Sequence, residues 1–228
     1  MRAHEDTLWW YVHLRKILLK AMQAAACSPS RILDIGCGTG GNMDFLSRVF
    51  PQAQILGFDQ NDHALELART RKLTGLSKAS AEQIPFTDGY FDAAICMDVL
   101  YHQNAEESKI LAEARRVLKP GGFLFVNVPA FESLRGSHDR AVHGKRRYRS
   151  GKLKELFEKA GLKIVFFTYW NFTLFPVLWL WRKISPGQKS DVQMPSGFVN
   201  TLIKNLLDQE MKFLPLPYGS SLFAAAVK

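Results

Sequence analysis

The spacing of apolar residues changes several times along this 228-residue chain. Over residues 5–26 they recur every three or four positions, which predicts an amphipathic helix that Ser28-Pro29-Ser30 ends. Uninterrupted apolar runs follow, and each predicts a buried strand: residues 31–36, 54–59, 76–79, 91–100 and 123–128. Helical spacing returns between the runs, over 41–49, from Asn61 or Asp62 to Arg71, and over 105–118, where Lys119-Pro120-Gly121-Gly122 is expected to stop the helix.

This alternation predicts an α/β fold in which a mostly parallel sheet carries helices on both faces. The regular pattern loosens after residue 130, where one more helix (150–160) and two more strands (162–169 and 221–228) are predicted. Residues 169–220 are rich in aromatic residues, proline and glycine, and we expect an insertion that covers the sheet edge or a ligand site. The chain length suits a single domain, 1–228.

Composition narrows the class of protein. Hydrophobic residues make up 47% and charged residues 22%, which is typical of a folded globular chain. Three cysteines without CxxC spacing favour a reducing compartment. The first ten residues contain acids where a secretion signal needs an apolar run, and no window reaches the roughly 20 apolar residues of a membrane span. We therefore expect a cytoplasmic protein.

The formal net charge of +9 favours an anionic partner, such as nucleic acid, a phosphorylated substrate or an anionic membrane. Most of the excess lies in residues 135–154, where eight lysines and arginines accompany a single acid, Asp139. We call residues 135–154 the basic segment. It is either a solvated basic surface or an anion-binding site.

Glycines cluster directly after the first predicted strand, in LDIGCGTGG (33–41). They permit a sharp turn and let a ligand approach the backbone. Gly36, Gly38 and Gly41 satisfy a dinucleotide pattern, but Asp34 argues against a pyrophosphate, because its carboxylate would repel one. A carboxylate at this position suits the ammonium and sulfonium groups of S-adenosylmethionine. Asp59 ends the second strand and is expected to accept the two ribose hydroxyls of an adenosine.

Five motifs follow in order over residues 30–130: LDIGCGTG, GFD, AEQIPF, FDAAICMDVLYH and LKPGGFLFVNVP. Their order resembles the class I S-adenosylmethionine-dependent methyltransferases, in the small-molecule subgroup similar to ubiquinone-biosynthesis enzymes (the type 11 methyltransferase domain). The resemblance implies a Rossmann-like seven-stranded sheet with an antiparallel last strand, a role that SLFAAAVK (221–228) fits. It also implies an N-terminal helical lid (1–29), a cofactor-binding core (30–130) and an acceptor side (131–228).

The resemblance further implies Asp34 near the cofactor's amino group, Gly36 and Gly38 beneath it, and Asp59 on the ribose. Family members usually have an aspartate where this chain has Ser80, so adenine recognition rests on an uncharged hydroxyl and on the backbone N–H of Ala81. From the lid, Arg15 is expected to clamp the cofactor's carboxylate. The alternative is that the lid supplies only core aromatics and a surface arginine. The full set of expected cofactor contacts is Asp34, Gly36, Cys37, Gly38, Asp59, Gln60, Ser80, Ala81, Glu82, Met97, Tyr11 and Arg15.

Asp98, Tyr101 and His102 follow the fourth strand, at the end where open α/β sheets bind their ligands, so all three are expected near the methyl group. We expect Tyr101 to pack its ring against the sulfonium and His102 to take a proton from an acceptor hydroxyl or amine. The alternative for His102 is a histidine that only bonds backbone.

A second histidine-containing stretch, SHDRAVHGKRRY (137–148), follows the fifth strand. We expect His143 to act as a further base, with Asp139 orienting a histidine of this loop. The residues expected to bind the acceptor here are His138, Arg146, Arg147 and Tyr148. The alternative is a loop held together by salt bridges. Two histidines and one aspartate are a weak metal pattern, so no metal is predicted.

The most apolar stretch, FTLFPVLWLWRKI (172–184), is too short to span a bilayer. Its tryptophans and the following Arg182-Lys183 suit a helix at a membrane interface, the lid of an apolar acceptor pocket, or a helix buried in the domain. Trp179 is expected to line the acceptor pocket, and peripheral membrane contact is an expected partnership alongside the small-molecule acceptor.

The predicted function is methyl transfer from S-adenosylmethionine to a mainly apolar or acidic small molecule, with oxygen as the preferred acceptor atom. A nucleic-acid methyltransferase is disfavoured, because Met97-Asp98-Val99-Leu100 replaces the Asn/Asp-Pro-Pro-Tyr type tetrapeptide expected for base-amino methylation. A nicotinamide dehydrogenase is disfavoured by Asp34. A non-catalytic cofactor-binding protein of the same fold is the third alternative.

Overall fold

Seven strands pair into one sheet in the order β3–β2–β1–β4–β5–β7–β6. They are β1 (Arg31–Ile35), β2 (Gln54–Asp59), β3 (Leu76–Lys78), β4 (Phe91–Met97), β5 (Leu118–Pro129), β6 (Lys163–Trp170) and β7 (Ser221–Val227). Strands β1 to β5 pair in parallel, and β7 runs antiparallel to both of its neighbours, β5 and β6. This computed structural model describes residues 5–184 and 196–228, and it confirms the predicted sheet and its antiparallel last strand.

Eight helices are described in these two ranges. They are α1 (Trp9–Ala24), α2 (Gly41–Val49), α3 (Asp62–Arg69), α4 (Glu107–Val117), α5 (Ser137–Ala141), α6 (Ser150–Lys159), α7 (Phe175–Ile184) and α8 (Gly197–Glu210). Short 3₁₀ turns follow β5 and α8, at Glu132–Leu134 and Met211–Phe213. None of the helices in the described ranges is long and apolar enough to cross a membrane.

Consecutive residues of β1 point to opposite faces of the sheet, and each face has its own core. Ile32 packs in a cluster with Leu14 and Leu18 of α1 and with Leu46 of α2. Its neighbour Leu33 packs in the other cluster, which residues of α4 and α6 complete. Both faces of the sheet are therefore covered by helices, as the strand–helix alternation predicts.

Helix α1 is part of the core rather than a detachable lid. Leu14, Ile17 and Leu18 are each 2% exposed or less. The helix is thus fixed against the sheet by burial of its apolar side. A cover over the end of β1 is therefore expected from the described residues Glu5 to Tyr11 and from Arg15, which faces inward.

Several predicted boundaries differ from the structure. Strand β4 ends at Met97 instead of residue 100, because Asp98 takes a left-handed backbone conformation with φ 59° and turns the chain. Helix α4 begins at Glu107 instead of residue 105. Residues 119–122 lie inside β5, and the strand pairing with β4 shifts register there, between Phe91 and Ala93.

Candidate active site

The glycine-rich turn joins β1 to α2 and is bonded to the end of β2. Gly36 has φ +70°, and a Cβ there would lie 2.6 Å from Cγ2 of Val99, so any side chain would be strained and would clash. The N–H of Cys37 donates to the carbonyl of Phe58 at 2.9 Å, and the N–H of Gly38 donates to Oδ2 of Asp59 at 2.9 Å. The turn predicted from the sequence is therefore built against the residue expected to hold the ribose.

Asp59 links three parts of the site through one carboxylate. While Oδ2 accepts from Gly38, Oδ1 accepts from the N–H of Asn61 at 2.9 Å. The Asn61 side chain in turn accepts from the N–H of Ala64 and caps α3, which confirms Asn61 as the N-cap. Asp59 is partly exposed, so its remaining lone pairs face the open end of the sheet.

Asp34 is a buried carboxyl group with one unsatisfied oxygen in the described part of the structure. It is 1% exposed, and its Oδ2 accepts no hydrogen bond within the described ranges. Burial and then the neighbouring Asp59 raise its pKa to about 8, against the opposing effect of Arg15. Buried polar groups are normally hydrogen-bonded. An unsatisfied carboxyl beside a glycine-rich turn therefore fits a ligand that brings an ammonium donor, as S-adenosylmethionine would.

The start of the chain closes over the first turn of α2. Oε2 of Glu5 accepts from Nη2 of Arg71 at 3.0 Å and from the hydroxyl of Thr39. A Cβ on Gly41 would lie 2.6 Å from Nη2 of Arg15 and 2.8 Å from Oε2 of Glu5, so both side chains lie directly on the helix start. The sequence alone did not reveal Glu5 and Arg71, because their pairing joins segments that are 66 residues apart.

The two cofactor contacts expected from α1 lie on this inner side. Arg15 is 5% exposed, pairs with Asp6 at 3.6 Å and stacks on the Phe45 ring, so it is not a surface arginine. Tyr11 is partly buried, and burial, then Glu5 and Asp98, raise the pKa of its hydroxyl. Both residues are therefore in electrostatic contact with the ends of β1 and β4, and their contact with the cofactor stays a prediction.

A chain of side-chain hydrogen bonds ends at Asp98, directly after β4. The carboxylate of Asp98 accepts from Nδ2 of Asn127 at 3.0 Å, and Oδ1 of Asn127 accepts from Nε1 of Trp170 at 2.8 Å. Burial raises the pKa of Asp98 to about 7, although Asn127 opposes this shift. Its position after β4 is where the sequence analysis expects it, but its hydrogen-bond partners gave no signal in the sequence, because they come from β5 and β6.

The expected adenine side is more open. Ser80 and Gln60 are exposed, and the Ser80 hydroxyl accepts from the N–H of Glu82 at 3.2 Å. Glu82 is itself bonded, because its Oε1 accepts from the N–H of Glu106. Ala81 is partly buried, and Met97 is buried at the end of β4. Their contacts with adenine stay predictions.

Tyr101 and His102 form a stacked pair beside the basic segment. Their rings are 4.6 Å apart and nearly parallel, and the backbone of His102 bridges to Gly144. Burial lowers the pKa of His102, against the opposing effect of the Val142 backbone, and the imidazole also interacts electrostatically with Asp59 and His143. His102 therefore lies between the ribose side and the acceptor-side loop, in neutral form at neutral pH.

Much of the basic segment is paired internally. The guanidinium of Arg147 bonds both oxygens of Asp139, and both side chains are about 5% exposed or less. Arg146 pairs with Glu107, and the hydroxyl of Tyr148, which is 1% exposed, donates to the carbonyl of Leu100. These contacts favour the alternative of a loop held by salt bridges, and they leave Arg146, Arg147 and Tyr148 little capacity to bind an acceptor.

The remaining acceptor-side candidates are more accessible. His143 is exposed and has φ 53°, and it borders an open depression with Gln103, Asn104, Arg140 and Lys145. Trp179 is partly exposed on α7, with Nζ of Lys183 4.2 Å from its ring centre. The side chain of His138 lies outside the described part of the structure. Among the side chains that are described, no group of three or more metal-ligating residues is present.

Comparisons with known proteins agree with this geometry. A family model described as a methyltransferase domain matches residues 33–126, from Leu33 in β1 to Val126 in β5. Two similar relatives are a phthiotriol/phenolphthiotriol dimycocerosates methyltransferase of Mycobacterium ulcerans and a fatty-acid O-methyltransferase of Mycolicibacterium smegmatis. The first is 37% identical over 42% of this chain and 36% of its own length, and the second 35% identical over 41% and 35%.

The chain thus spans about a third of the length of these curated relatives. A solved S-adenosylmethionine-dependent methyltransferase of Archaeoglobus fulgidus shares the fold, with a TM-score of 0.59, 19% identity and coverage of 94% of each chain. The matched segment contains both the glycine-rich turn and Asp34, whose Oδ2 has no partner among the described residues. Residues 33–126 therefore match a methyltransferase domain, and the chain has the fold of this solved S-adenosylmethionine-dependent methyltransferase.

Proposed function

We propose that this chain transfers a methyl group from S-adenosylmethionine to a small, lipid-like acceptor, with a carboxylate or hydroxyl oxygen as the methylated atom. The observation that best supports the transferase function is the buried carboxyl of Asp34. Its Oδ2 lacks a hydrogen-bond partner among the described residues, and it lies beside the turn for which Gly36 is needed. The acceptor class is supported by the two relatives, whose names refer to a fatty acid and to phthiotriol dimycocerosates.

When bound, S-adenosylmethionine supplies an electrophilic methyl group on a sulfonium. The chain's own contribution is to hold and align the reactants. Asp34, once deprotonated, would pair with the ammonium, Asp59 would accept the ribose hydroxyls, and Arg15 would face the carboxylate. Alignment of this kind accelerates the reaction, because it converts a bimolecular step into one within the complex.

A hydroxyl acceptor needs a group that takes its proton, and two candidates lie after β4. Burial keeps the imidazole of His102 neutral, so that a ring nitrogen is able to accept a proton at neutral pH. The carboxylate of Asp98, with a pKa of about 7, is the second proton acceptor. A carboxylate acceptor needs no base, and the exposed cations Arg140 and Lys145 beside His143 would attract it.

The proposal also includes the cellular location and the domain organisation of the chain. Cys27, Cys37 and Cys96 are buried and unpaired, which suits the cytoplasmic location that we propose. We propose that residues 1–228 act as one domain, with residues 131–228 on the acceptor side.

The test is a screen of acceptors with methyl-labelled S-adenosylmethionine and the full chain. Long-chain carboxylic acids and hydroxy lipids should take up the label, whereas RNA should not. Label in RNA alone would overturn the proposed acceptor class. Tight binding of S-adenosylhomocysteine without label in any acceptor class would favour a non-catalytic binding protein of this fold.

Once an acceptor is identified, two single variants distinguish methylation of a hydroxyl oxygen from methylation of a carboxylate oxygen. His102→Ala and His143→Ala should each lower kcat on a hydroxyl acceptor, while affinity for S-adenosylhomocysteine stays unchanged. The same variants should retain turnover on a carboxylate acceptor. Full turnover of both variants on hydroxyl acceptors would remove a histidine base from the proposal and favour Asp98.

A further inference from the structure

Exposed apolar side chains are concentrated in one part of this molecule. The described ranges contain twelve large hydrophobic residues that are exposed, and ten of them lie between residues 177 and 218. Phe198 is 79% exposed, Ile184 71% and Trp181 51%. Single exposed hydrophobic residues are ordinary on a protein surface, but such a concentration marks an interaction site.

Seven of these ten residues form two stripes, one on each of two helices. On α7 they are Val177, Leu180, Trp181 and Ile184, and on α8 they are Phe198, Leu202 and Leu206. Both sets recur at intervals of three or four residues, so each lies along one side of its helix. We call these seven side chains the apolar face. A helix normally buries such a side, yet here it points to solvent.

The opposite side of α8 is already occupied. Asn200 donates to the carbonyl of Thr7 and accepts from the N–H of Trp9, and Leu207 is 2% exposed. Asp208 pairs with Lys16 and His13 of α1, and Glu210 accepts from the N–H groups of Phe172 and Thr173. The helix is thus docked to the domain through its polar side, and this orientation turns the apolar side outward.

The charges beside the apolar face are positive. Within residues 175–184 and 196–213, the two acids are Asp208 and Glu210, and both are bonded to other parts of the fold. Lys183 is exposed at the end of α7. That end reaches the basic segment, because a Cβ on Gly136 would lie 3.5 Å from Nε of Arg182. Further along this segment, the exposed side chains of Arg140 and Lys145 make no ion pair with any described residue.

We propose that the apolar face docks onto an anionic lipid bilayer. Apolar side chains with a tryptophan, flanked by lysine and arginine, suit the boundary between acyl chains and headgroups. Anionic headgroups would neutralise the neighbouring cations. A second copy of the chain fits this surface less well, because two molecules of net charge +9 repel one another.

Docking also gives a route for a lipid acceptor from the bilayer to the site, and this step alone rests on the proposed function. The aromatic residues before α7 connect the two regions. The Phe175 ring packs against Phe131, which follows β5, and Phe131 stacks on Tyr169 of β6. These ring contacts connect the start of α7, the helix that carries one stripe of the apolar face, with the segment that follows the carboxyl end of β5.

The test is flotation of the full chain with vesicles of phosphatidylcholine, with and without phosphatidylglycerol. The wild type should float with the anionic vesicles, weakly with the zwitterionic ones, and less at raised salt. The double variants Leu180→Ser/Trp181→Ser and Phe198→Ser/Leu202→Ser should each lower the partition coefficient by about tenfold or more. Val165→Ser is the matched control, because Val165 is similarly exposed, at 46%, but lies on β6.

Calorimetry with S-adenosylhomocysteine keeps this test separate from the proposed function. The variants should bind it as the wild type does, which shows that the fold is intact whatever the acceptor proves to be. Absence of flotation of the wild type, or equal flotation of the wild type and both double variants, would overturn the proposal. So would a change from dimer to monomer in the double variants with vesicle binding unchanged, because the face would then bind a second copy.

Discussion

The two sides of the active site are built in different ways. On the cofactor side, the key groups are fixed by the backbone, at the ends of β1 and β2 and in the turn that Gly36 and Gly38 allow. On the acceptor side, position depends on side-chain pairs such as Arg147 with Asp139 and on helices whose outer surfaces are apolar. The family match covers the first side and ends before the second. A backbone-built site is thus shared among distant relatives, whereas a side-chain-built one is free to change with the acceptor.

The largest expected effect comes from breaking the buried pair on the acceptor side. Arg147→Met should leave the Asp139 carboxylate buried and uncompensated, at a cost of about 3–5 kcal/mol. For a domain of this size the melting temperature should fall by roughly 6–20 °C, measured by thermal unfolding. Arg140→Met, at an exposed position, is the control and should melt like the wild type. An unchanged melting temperature with a raised KM for the acceptor would instead return Arg147 to an acceptor-binding role.

The next effect tests the cofactor side. Asp59→Ala removes an acceptor of two backbone N–H groups and of the expected ribose hydroxyls. The loss of hydrogen bonds to a charged group should weaken S-adenosylhomocysteine binding by about 1.5–3 kcal/mol, or roughly 10- to 150-fold, by calorimetry. Glu66→Ala, an exposed acid on α3, serves as the control. Equal affinities for the two variants would separate Asp59 from the ribose.

A pH dependence should separate the two sides further. The raised pKa of Asp34, about 8, means that the ligand-free protein keeps a proton there which the unfolded chain loses near pH 4. Its contribution to stability is therefore full below about pH 4 and is lost as the pH rises through 8. Pairing with the cofactor's ammonium favours the ionised form, so binding at pH 7 should release about one proton.

Calorimetry in buffers of different ionisation enthalpy measures that proton. Affinity for S-adenosylhomocysteine should also rise, by up to about tenfold per pH unit, between pH 6 and 8. In Asp34→Asn, both the released proton and this slope should disappear. Binding without proton release in the wild type would mean that Asp34 does not meet the ammonium.

The smallest expected effect is a gain at the adenine end. Ser80→Asp restores the charged acceptor that the resembled family usually has, and Ser80 is exposed enough to take it. Affinity for S-adenosylhomocysteine should improve by about 0.5–1.5 kcal/mol. Ser77→Asp, on β3, should bring no such gain. If Ser80→Asp weakens binding, adenine lies away from Ser80.

The sheet and the glycine-rich turn were predictable from the sequence, because both depend on local patterns of residues. The alternation of apolar runs identified the sheet, and the glycine and aspartate positions identified the turn, because both follow from the backbone. Pairings between distant segments gave no such signal, which is why Glu5, Arg71 and the partners of Asp98 emerged only from the fold. Arg147 is instructive, since its partner Asp139 is only eight residues away. The excess of positive charge in the basic segment drew the interpretation toward an external ligand instead.

The insertion shows a second limit of pattern reasoning. The stripes on α7 and α8 predict amphipathic helices, but the same spacing describes a helix that faces a core, a pocket or a membrane. What turns α8 outward is a set of polar contacts with α1, and these include Asn200 and Asp208. Such contacts become visible only when both helices are seen together.

The position of β7 has a consequence for how the chain folds. Strand β7 lies between β5 and β6, and among the described strands β6 pairs with β7 alone. Strands β1 to β5 are able to pair with one another as each follows along the chain. The partner of β6 comes about fifty residues later, after the α7–α8 insertion. Because such non-local pairing is slow, the β7 and β6 part of the sheet should form late. The apolar face should therefore already be exposed while the chain is only partly folded.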